Sequence, residues 1–359
     1  MPFDRRRILL RAAALGGAAA LAGCAQRDAA GPLRWNMVTT WPANAPGFGT
    51  SAKRLAAWIE RASNGRLRIA VHGGHERVAP FEVFEAVTSG IAEMGHGAAH
   101  YWQDKSPAAP FFATVPFGLN AQEMNGWLQH GGGLQLWREL YAGFGVVPFA
   151  AGNTGVQTAG WYNREITSVA DLRGLKIRMP GLGGEVLRRL GAIPIQLDGE
   201  DIFAALKAGT IDAAKWVGPD HDQASGLHRV AKYCYYPGWQ EPGTTLECIV
   251  NQSAFEALPE DLKLIVEIAC RASNDAVLAE FTTRNQRALT ELVGKHGAAF
   301  RQLPETVLDA LRRTSETVLT ELAHGSALAG RVFTSFKTYR TESRAWLAIS
   351  EVAYYQARS

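Results

Sequence analysis

The chain has 359 residues, with 37 lysines and arginines against 34 aspartates and glutamates, and 47% of its residues are hydrophobic. This length is more than one hydrophobic core usually fills, so it favours two lobes of an ordinary globular protein. Without the four arginines and one aspartate of residues 1–23, 33 charges of each sign remain. No basic face of the kind that nucleic acids require is therefore indicated.

The first 23 residues have the parts of an export signal. Paired arginines at Arg5 and Arg6 stand in a charged head and are soon followed by Ile8, as in twin-arginine signals. The apolar stretch 12–23 is shorter than the ~20 residues of a membrane span and fits a signal peptide. Residues 21–24, Leu-Ala-Gly-Cys, resemble a lipobox. We therefore expect cleavage before Cys24 and a lipid on this residue, with an ordinary secretory peptide as the alternative.

Residues 33–150 contain alternating strand and helix patterns. Strands are predicted at 33–40, 67–71, 92–97 and 146–150, and helices at 50–61, 80–89 and, as a pair broken by three glycines, within 120–144. The opening βαβαβ order predicts a parallel or mixed sheet that is flanked by helices.

A second run of alternating elements follows, and the chain then becomes largely helical. Strands are predicted at 157–162, 175–179, 193–197, 213–217 and 244–250, and helices at 183–190 and 200–208. Beyond 259, the patterns predict one or two helices over 259–295, a short strand over 298–302, and helices over 305–324 and 329–355.

These patterns predict an α/β fold with two lobes and helical bracing at the C-terminus. We place lobe 1 at 33–155 with a return segment at about 245–295, lobe 2 at 156–244 with part of 296–330, and a C-terminal helix at 331–359. Folds of this kind bind small ligands in the cleft between the lobes. The apolar face of the last helix would dock either on the core or on a second subunit, so a homodimer is one expected arrangement.

Catalytic and metal-binding motifs are missing from the sequence. There is no nucleophile elbow, phosphate-binding loop or HExxH motif, and His72 and His75 have no third ligand at a useful spacing. Cys234, Cys248 and Cys270 have no metal-ligand spacing either. Buried free thiols are the favoured interpretation, with a Cys234–Cys248 disulfide as the alternative. These features argue against an enzyme.

Arg178 is the strongest binding candidate from the residues alone. It lies at the end of the predicted strand 175–179, beside the glycine-rich turn 181–184. Ligands of open α/β sheets are bound at the carboxyl ends of strands, and a guanidinium can hold a carboxylate through two parallel hydrogen bonds. An exposed arginine at a strand end is the alternative.

Several strings in order along the chain resemble the solute receptors of TRAP transporters, the tripartite ATP-independent periplasmic transporters. They are MVTTWP (37–42), TVPFGL (114–119), GNTGVQ (152–157), RMPGLGG (178–184) and YYPGW (235–239). The resemblance covers nearly all of the chain after the leader, and it is closest to the branch that binds 2-oxo monocarboxylates such as pyruvate. It implies a periplasmic-binding-protein (Venus-flytrap) fold, a small carboxylate ligand and membrane subunits as partners. The alternatives are a lipoprotein that presents a ligand to a sensor kinase and a secreted enzyme that acts on organic acids.

The resemblance also implies a binding site in which Arg178 clamps the carboxylate of the ligand. The other expected contacts are Asn153, Tyr101, Trp102, Gln157, Lys215, Trp216 and Glu247.

In this branch a cation, Na⁺ or Ca²⁺, bridges protein and ligand, and its ligands here would be Gln157, Trp216 and Glu247. This chain departs from the branch because Lys215 stands where a glutamate is expected. With Arg178, Lys215, Glu247 and a monocarboxylate, the charges sum to zero without a metal. We therefore expect no metal, with the ammonium of Lys215 reaching the ligand, Gln157 and Glu247 instead. Further departures from the branch are Asp220, His221 and Gln240.

Overall fold

Two mixed β-sheets organise the computed structural model, which describes residues 31–358. The first sheet is built from β1 (Leu33–Thr39), β2 (Leu67–His72), β3 (Met94–Gly97), β4 (Val146–Asn153) and β10 (Thr245–Asn251). The second is built from β5 (Gly160–Tyr162), β6 (Lys176–Arg178), β7 (Ile193–Pro194), β8 (Ala213–Ala214), β9 (Tyr233–Tyr236) and β11 (Ala299–Gln302).

The strand orders confirm the predicted α/β class. The first sheet has the order β2-β1-β3-β10-β4, in which β1 is parallel to β2 and β3, whereas β10 is antiparallel to β3 and β4. The second has the order β11-β9-β5-β8-β6-β7, in which β6 is parallel to β7 and β8. We propose that each sheet is the centre of one lobe, with the lobe boundaries expected from the sequence.

Helices cover both sheets and dominate the C-terminal part. Those of the first two-thirds are α1 (Gly49–Ala62), α2 (Val83–Thr88), α3 (Ala121–His130), α4 (Gly133–Ala142), α5 (Gly181–Arg189), α6 (Ile202–Ala208) and α7 (Pro219–Ala224). Those that follow are α8 (Gln252–Glu256), α9 (Glu260–Gly294), α10 (Glu305–Ala323), α11 (Ala327–Ile349) and α12 (Glu351–Arg358). The predicted bracing is confirmed, because α10 packs on α5 and α11, and α11 packs on α3 and α4.

The chain passes between the two sheets in two adjacent segments, 154–159 and 237–244. Thr154 N donates to Thr244 O at 3.0 Å, and Gln157 N donates to Glu241 O at 3.2 Å. These segments therefore lie side by side between the lobes, and a hinge between the lobes must pass through them.

Helix α9 is a third connection, because its buried side chains enter three successive cores. Val266 lies in the core of the first sheet. Phe281 packs with Trp41 and Val217 between the sheets, and Leu292 lies in the core of the second sheet. One helix of 35 residues thus contacts both lobes.

Several predicted elements differ from the observed ones. The strand predicted at 157–162 is only Gly160–Tyr162, because the preceding residues cross between the sheets. The last predicted helix is interrupted at Ser350, which separates α11 from α12. Strand β9 and helix α7 were missed; β9 pairs antiparallel with β5 and parallel with β11.

The sequence also made predictions about membrane spans, about the three cysteines and about the leader. No helix among residues 31–358 is long and apolar enough to cross a membrane. Cys234, Cys248 and Cys270 are free and buried, as the favoured interpretation expected. The leader and Cys24 lie outside the described residues.

Candidate functional site

Two basic residues lie at the same edge of the second sheet. Arg178 ends β6, and Lys215 directly follows β8, the parallel neighbour of β6. Arg178 is in register with Ala214, and Lys215 N donates to Arg178 O at 2.9 Å. Because the two strands are parallel, both side chains start from their carboxyl ends, where α/β sheets bind ligands.

The guanidinium of Arg178 is held in a fixed orientation. Its Nε donates to Leu197 O and its Nη1 donates to Lys215 O, both at 3.1 Å. Its carbon lies 5.5 Å from the centre of the Trp216 ring. Two of its five N–H donors are used in these bonds, so the others are free to bind a ligand. Burial lowers the pKa of Arg178, and the nearby charge of Glu241 opposes this shift.

Lys215 forms a buried ion pair with Glu241. Lys215 is only 5% exposed, and its Nζ donates to Glu241 Oε1. Glu241 Oε2 accepts a hydrogen bond from Thr244 Oγ1 at 3.0 Å. Burial lowers the pKa of Lys215, and the charge of Glu241 counteracts it. Burial by itself would raise the pKa of Glu241. The positive charge of Lys215 is the largest of several effects that lower this pKa, and together they leave the pKa of Glu241 below its ordinary value.

Gln157 offers an unused oxygen next to this pair. Its Nε2 donates to Thr154 Oγ1 and Thr244 Oγ1, both at 3.2 Å. Its Oε1 is buried without a hydrogen-bond partner in the structure. The side chain therefore presents an acceptor that a donor or a cation would satisfy.

Tyr101 approaches the site from the side of the first sheet. It lies in the short turn Ala99–Trp102 after β3, and its ring centre is 6.2 Å from that of Trp41. Burial raises the pKa of Tyr101 to about 12; the charge of Glu241 adds to this shift and that of Arg178 opposes it. Tyr101 and Trp216, the residue after Lys215, pack against the same hydrophobic cluster between the sheets, so Tyr101 lies close to the basic edge of the second sheet.

The structure corrects the expected contact between Lys215 and Glu247. Glu247 is fully buried in β10, where Oε1 accepts from Trp102 Nε1 and Oε2 accepts from Tyr141 Oη at 2.9 Å. Burial raises the pKa of Glu247 to about 7. The carboxylate that pairs with Lys215 is Glu241, and Trp102 and Glu247 lie together in the interior beneath the first sheet.

Asn153 and Trp216 shape the surroundings of the site. The Asn153 amide donates to Thr245 Oγ1 at 3.3 Å and accepts from Gly155 N at 2.9 Å, which fixes the start of the first crossing segment. The Trp216 ring lies over Gly199, where a Cβ atom would be only 2.3 Å from the ring. Only glycine allows this close approach.

The remaining departures from the family pattern make contacts between elements. His221 Nε2 lies 3.0 Å from Pro46 O, and its ring stacks on Phe281 with centroids 5.3 Å apart. Asp220 forms an ion pair with Arg284 of α9 at 2.8 Å. Gln240 Nε2 donates to Thr158 O at 2.8 Å.

Glu241 is the residue that the sequence interpretation missed. It is the only charged residue in the crossing segment 237–244. Nothing local in the sequence distinguishes this carboxylate from a solvated one, because proline- and glycine-rich segments usually form surface turns.

Residues 37–325 match the bacterial extracellular solute-binding protein family 7, DctP. The chain belongs to this family. It is therefore a solute-binding protein and not an enzyme, as the sequence indicated.

Similar proteins are known by sequence and by structure. The monocarboxylate 2-oxoacid-binding periplasmic protein of Nostoc sp. is 38% identical over 358 residues, which is 98% of each chain. A TRAP periplasmic solute-binding protein from Pseudoalteromonas atlantica, solved with sodium and pyruvate, is 38% identical with a TM-score of 0.85, covering 90% of this chain and 99% of its own. A TRAP solute-binding protein from Bordetella bronchiseptica is 36% identical with a TM-score of 0.86, covering 92% and 98%. It was solved as a dimer with calcium and picolinate at one active site.

The residues of this chain do not fit a metal ion at the corresponding position. Among the side-chain oxygens there, Gln157 Oε1 has no partner, but the ammonium of Lys215 already lies on the carboxylate of Glu241. A cation held by the same oxygen would meet a like charge in a poorly solvated place. Within residues 31–358, no group of three or more histidines, cysteines, aspartates or glutamates is arranged to hold a metal.

Proposed function

We propose that this protein is the extracytoplasmic receptor of a TRAP transporter and captures a small 2-oxo or 2-hydroxy monocarboxylate such as pyruvate. The observation that carries the proposal is the guanidinium of Arg178, which two carbonyl groups orient at the carboxyl edge of the second sheet. The relatives from Nostoc and Pseudoalteromonas, both 38% identical, support this ligand class.

In this proposal, each wall of the cleft supplies a different part of the recognition. Arg178 binds the carboxylate with its free N–H groups. Lys215 supplies a second cation, and the rings of Tyr101 and Trp216 cover the ligand from the two lobes. Closing the lobes about the crossing segments removes the ligand from water and delivers it to the membrane subunits.

Isothermal titration calorimetry tests the ligand class. Pyruvate and lactate should bind, and the uncharged methyl ester of pyruvate should not, because it lacks the carboxylate that Arg178 holds. A folded protein that binds dicarboxylates but no monocarboxylate would overturn the proposal.

The proposal includes a lipid anchor on Cys24. The lipobox at residues 21–24 supports it. Cells that produce Cys24→Ala should contain the unprocessed precursor or release the protein from the membrane fraction, as fractionation and blotting would show. A variant that is processed normally and stays membrane-bound would contradict the anchor.

A homodimer is also part of the proposal. Val332 and Phe336 of α11 are buried on the core, whereas Trp346 and Ile349 near its end are 62% and 74% exposed. The Bordetella relative was solved as a dimer, which supports pairing of this chain. Light scattering should give a dimer for the wild type and for Arg344→Ala, and a monomer for Trp346→Glu combined with Ile349→Glu. A wild-type monomer at all concentrations would refute it.

A further inference from the structure

We infer that the Lys215–Glu241 ion pair takes the place of a bridging cation, so that this receptor binds its carboxylate without a metal. The inference rests on the proposed function and concerns the same cleft. The Pseudoalteromonas and Bordetella relatives were solved with sodium and calcium, respectively, so independence from a cation would distinguish this chain from them.

The position of the ammonium is the first argument. Lys215 follows β8 directly, next to the end of β6, and its main-chain carbonyl accepts from Arg178 Nη1 at 3.1 Å. Its side chain turns into the protein, is 5% exposed and ends on Glu241. A buried ammonium is costly unless it is paired, so Glu241 keeps it in place and charged.

The bonding capacity of the ammonium is the second argument. An ammonium has three N–H donors, and Glu241 uses one of them. The other two can serve a ligand oxygen and a further acceptor. Gln157 Oε1 is such an acceptor, buried and unpartnered, on the crossing segment whose main chain bonds to that of Glu241. Thr244 links the two, since its Oγ1 accepts from Gln157 and donates to Glu241.

The charge balance is the third argument. Arg178 and Lys215 contribute two positive charges and Glu241 one negative charge, so the site carries a net charge of +1 before the ligand arrives. A monocarboxylate neutralises it. Na⁺ or Ca²⁺ would leave an excess of positive charge in a closed cleft, where unbalanced charge is costly. A dicarboxylate would leave an excess of negative charge.

The other ionisable groups near Arg178, Lys215 and Glu241 are neutral, solvated or hydrogen-bonded outside the cleft. Burial lowers the pKa of His100 to about 4, so that it is neutral, and Asp198, whose charge acts on Arg178, is exposed to solvent. Asp222 is fully buried, and its oxygens accept from Trp161 Nε1 at 2.9 Å and Val217 N at 3.1 Å, so it faces the interior of the second lobe. Glu247 is held by Trp102 and Tyr141 on the other side.

Calorimetry in three buffers of equal ionic strength tests the inference. Metal-stripped protein is titrated with pyruvate as its choline salt in choline chloride with a chelator, in sodium chloride, and in choline chloride with added calcium chloride. We expect the same Kd in all three buffers. Binding that appears only with sodium or calcium overturns this inference and leaves the proposed function standing. The absence of monocarboxylate binding in every buffer overturns the proposed function and, with it, the inference.

Substitutions at position 215 give a second test. Lys215→Gln should weaken binding about ten-fold or more in choline chloride, whereas Lys176→Gln, at an exposed lysine of β6, should not. Lys215→Glu places two carboxylates together, so it should bind pyruvate only when calcium is added. Circular dichroism verifies that each variant is folded. Lys215→Gln with wild-type affinity in choline chloride would overturn the inference even if Lys215→Glu failed to fold.

Discussion

At the scale of single residues, Arg178 combines a permanent charge with a fixed plane. Its hydrogen bonds to Leu197 O and Lys215 O orient the guanidinium before any ligand binds. A side chain that is already oriented loses less conformational freedom on binding, so more of its interaction energy appears as affinity. In the proposed site, both the planar shape and the charge of Arg178 would therefore contribute to ligand affinity.

Substitution of Arg178 separates these two contributions. Arg178→Ala should weaken ligand binding by about 2–5 kcal/mol, as truncating one partner of a buried charge pair does. Arg178→Lys keeps the charge but loses the planar fork, so its loss should be smaller yet clearly measurable by calorimetry. Lys176→Ala, on the same strand and exposed, is the control and should bind normally. Wild-type affinity of Arg178→Ala would remove this residue from the site.

The sequence identified Arg178 but paired Lys215 with the wrong carboxylate, for a physical reason. A strand that ends next to a glycine-rich turn can be recognised from neighbouring residues alone, and this pattern predicted that Arg178 lies at the carboxyl end of a strand. The partner of Lys215 depends on which residues of two distant crossing segments meet. The structure shows that Glu241, on one of those segments, contacts Lys215, and that Glu247 turns into the core toward Trp102 and Tyr141.

At the scale of elements, helix α7 is attached to the loop after β8 by one buried carboxylate. Asp222 Oδ1 accepts from Val217 N at 3.1 Å, and Oδ2 accepts from Trp161 Nε1 at 2.9 Å. Burial raises the pKa of Asp222 to about 6, and hydrogen bonds and the charge of Lys215 oppose the shift. Ionising this group is thus harder in the folded protein than in the unfolded chain.

The raised pKa of Asp222 predicts a component of the pH dependence of stability. The contribution of protonated Asp222 to the free energy of unfolding is complete below its unfolded pKa of 3.8. This contribution is lost as the pH rises through about 6. Asp222→Asn cannot ionise, and it should lower the free energy of unfolding at about pH 5. Its deficit relative to the wild type should shrink by about 1.5 kcal/mol at about pH 8. Urea unfolding at both pH values measures this; a constant deficit would contradict the pKa.

The central positions of most elements followed from local patterns, whereas the ends of several strands did not. Strands β6, β7 and β8 have two or three residues each, although strands of five residues were predicted. The residues that follow β7 and β8 keep a strand-like sequence pattern beyond the hydrogen-bonded ladder, so the pattern alone cannot locate where the pairing stops. Strand β9 is aromatic and short, and only its partners β5 and β11 define it.

At the scale of the whole molecule, the same few contacts join the lobes and surround the candidate site. Gln157 and Glu241 lie on the crossing segments, and His221 of α7 reaches Pro46 on the other side. A ligand that binds Arg178 and Tyr101 together would add to these contacts. Binding and closure should therefore be coupled.

Small-angle scattering measures this coupling. The radius of gyration should fall when saturating pyruvate is added to the wild-type protein, because the lobes close around the ligand. Arg178→Ala at the same pyruvate concentration is the control and should show little change. Superimposable wild-type profiles with and without ligand, at a concentration that calorimetry shows to be saturating, would contradict closure.

Helix α9 turns any such motion into a measurable change of shape. With 35 residues it is about 52 Å long, and its two ends belong to different cores. The lobes can rotate relative to each other only if this rod curves, slides on one of its cores or breaks its main-chain ladder. Gradual curvature strains its hydrogen bonds least, since bending is distributed over many turns. Spin labels near its two ends would convert the opening angle into a single interatomic distance that can be measured in solution.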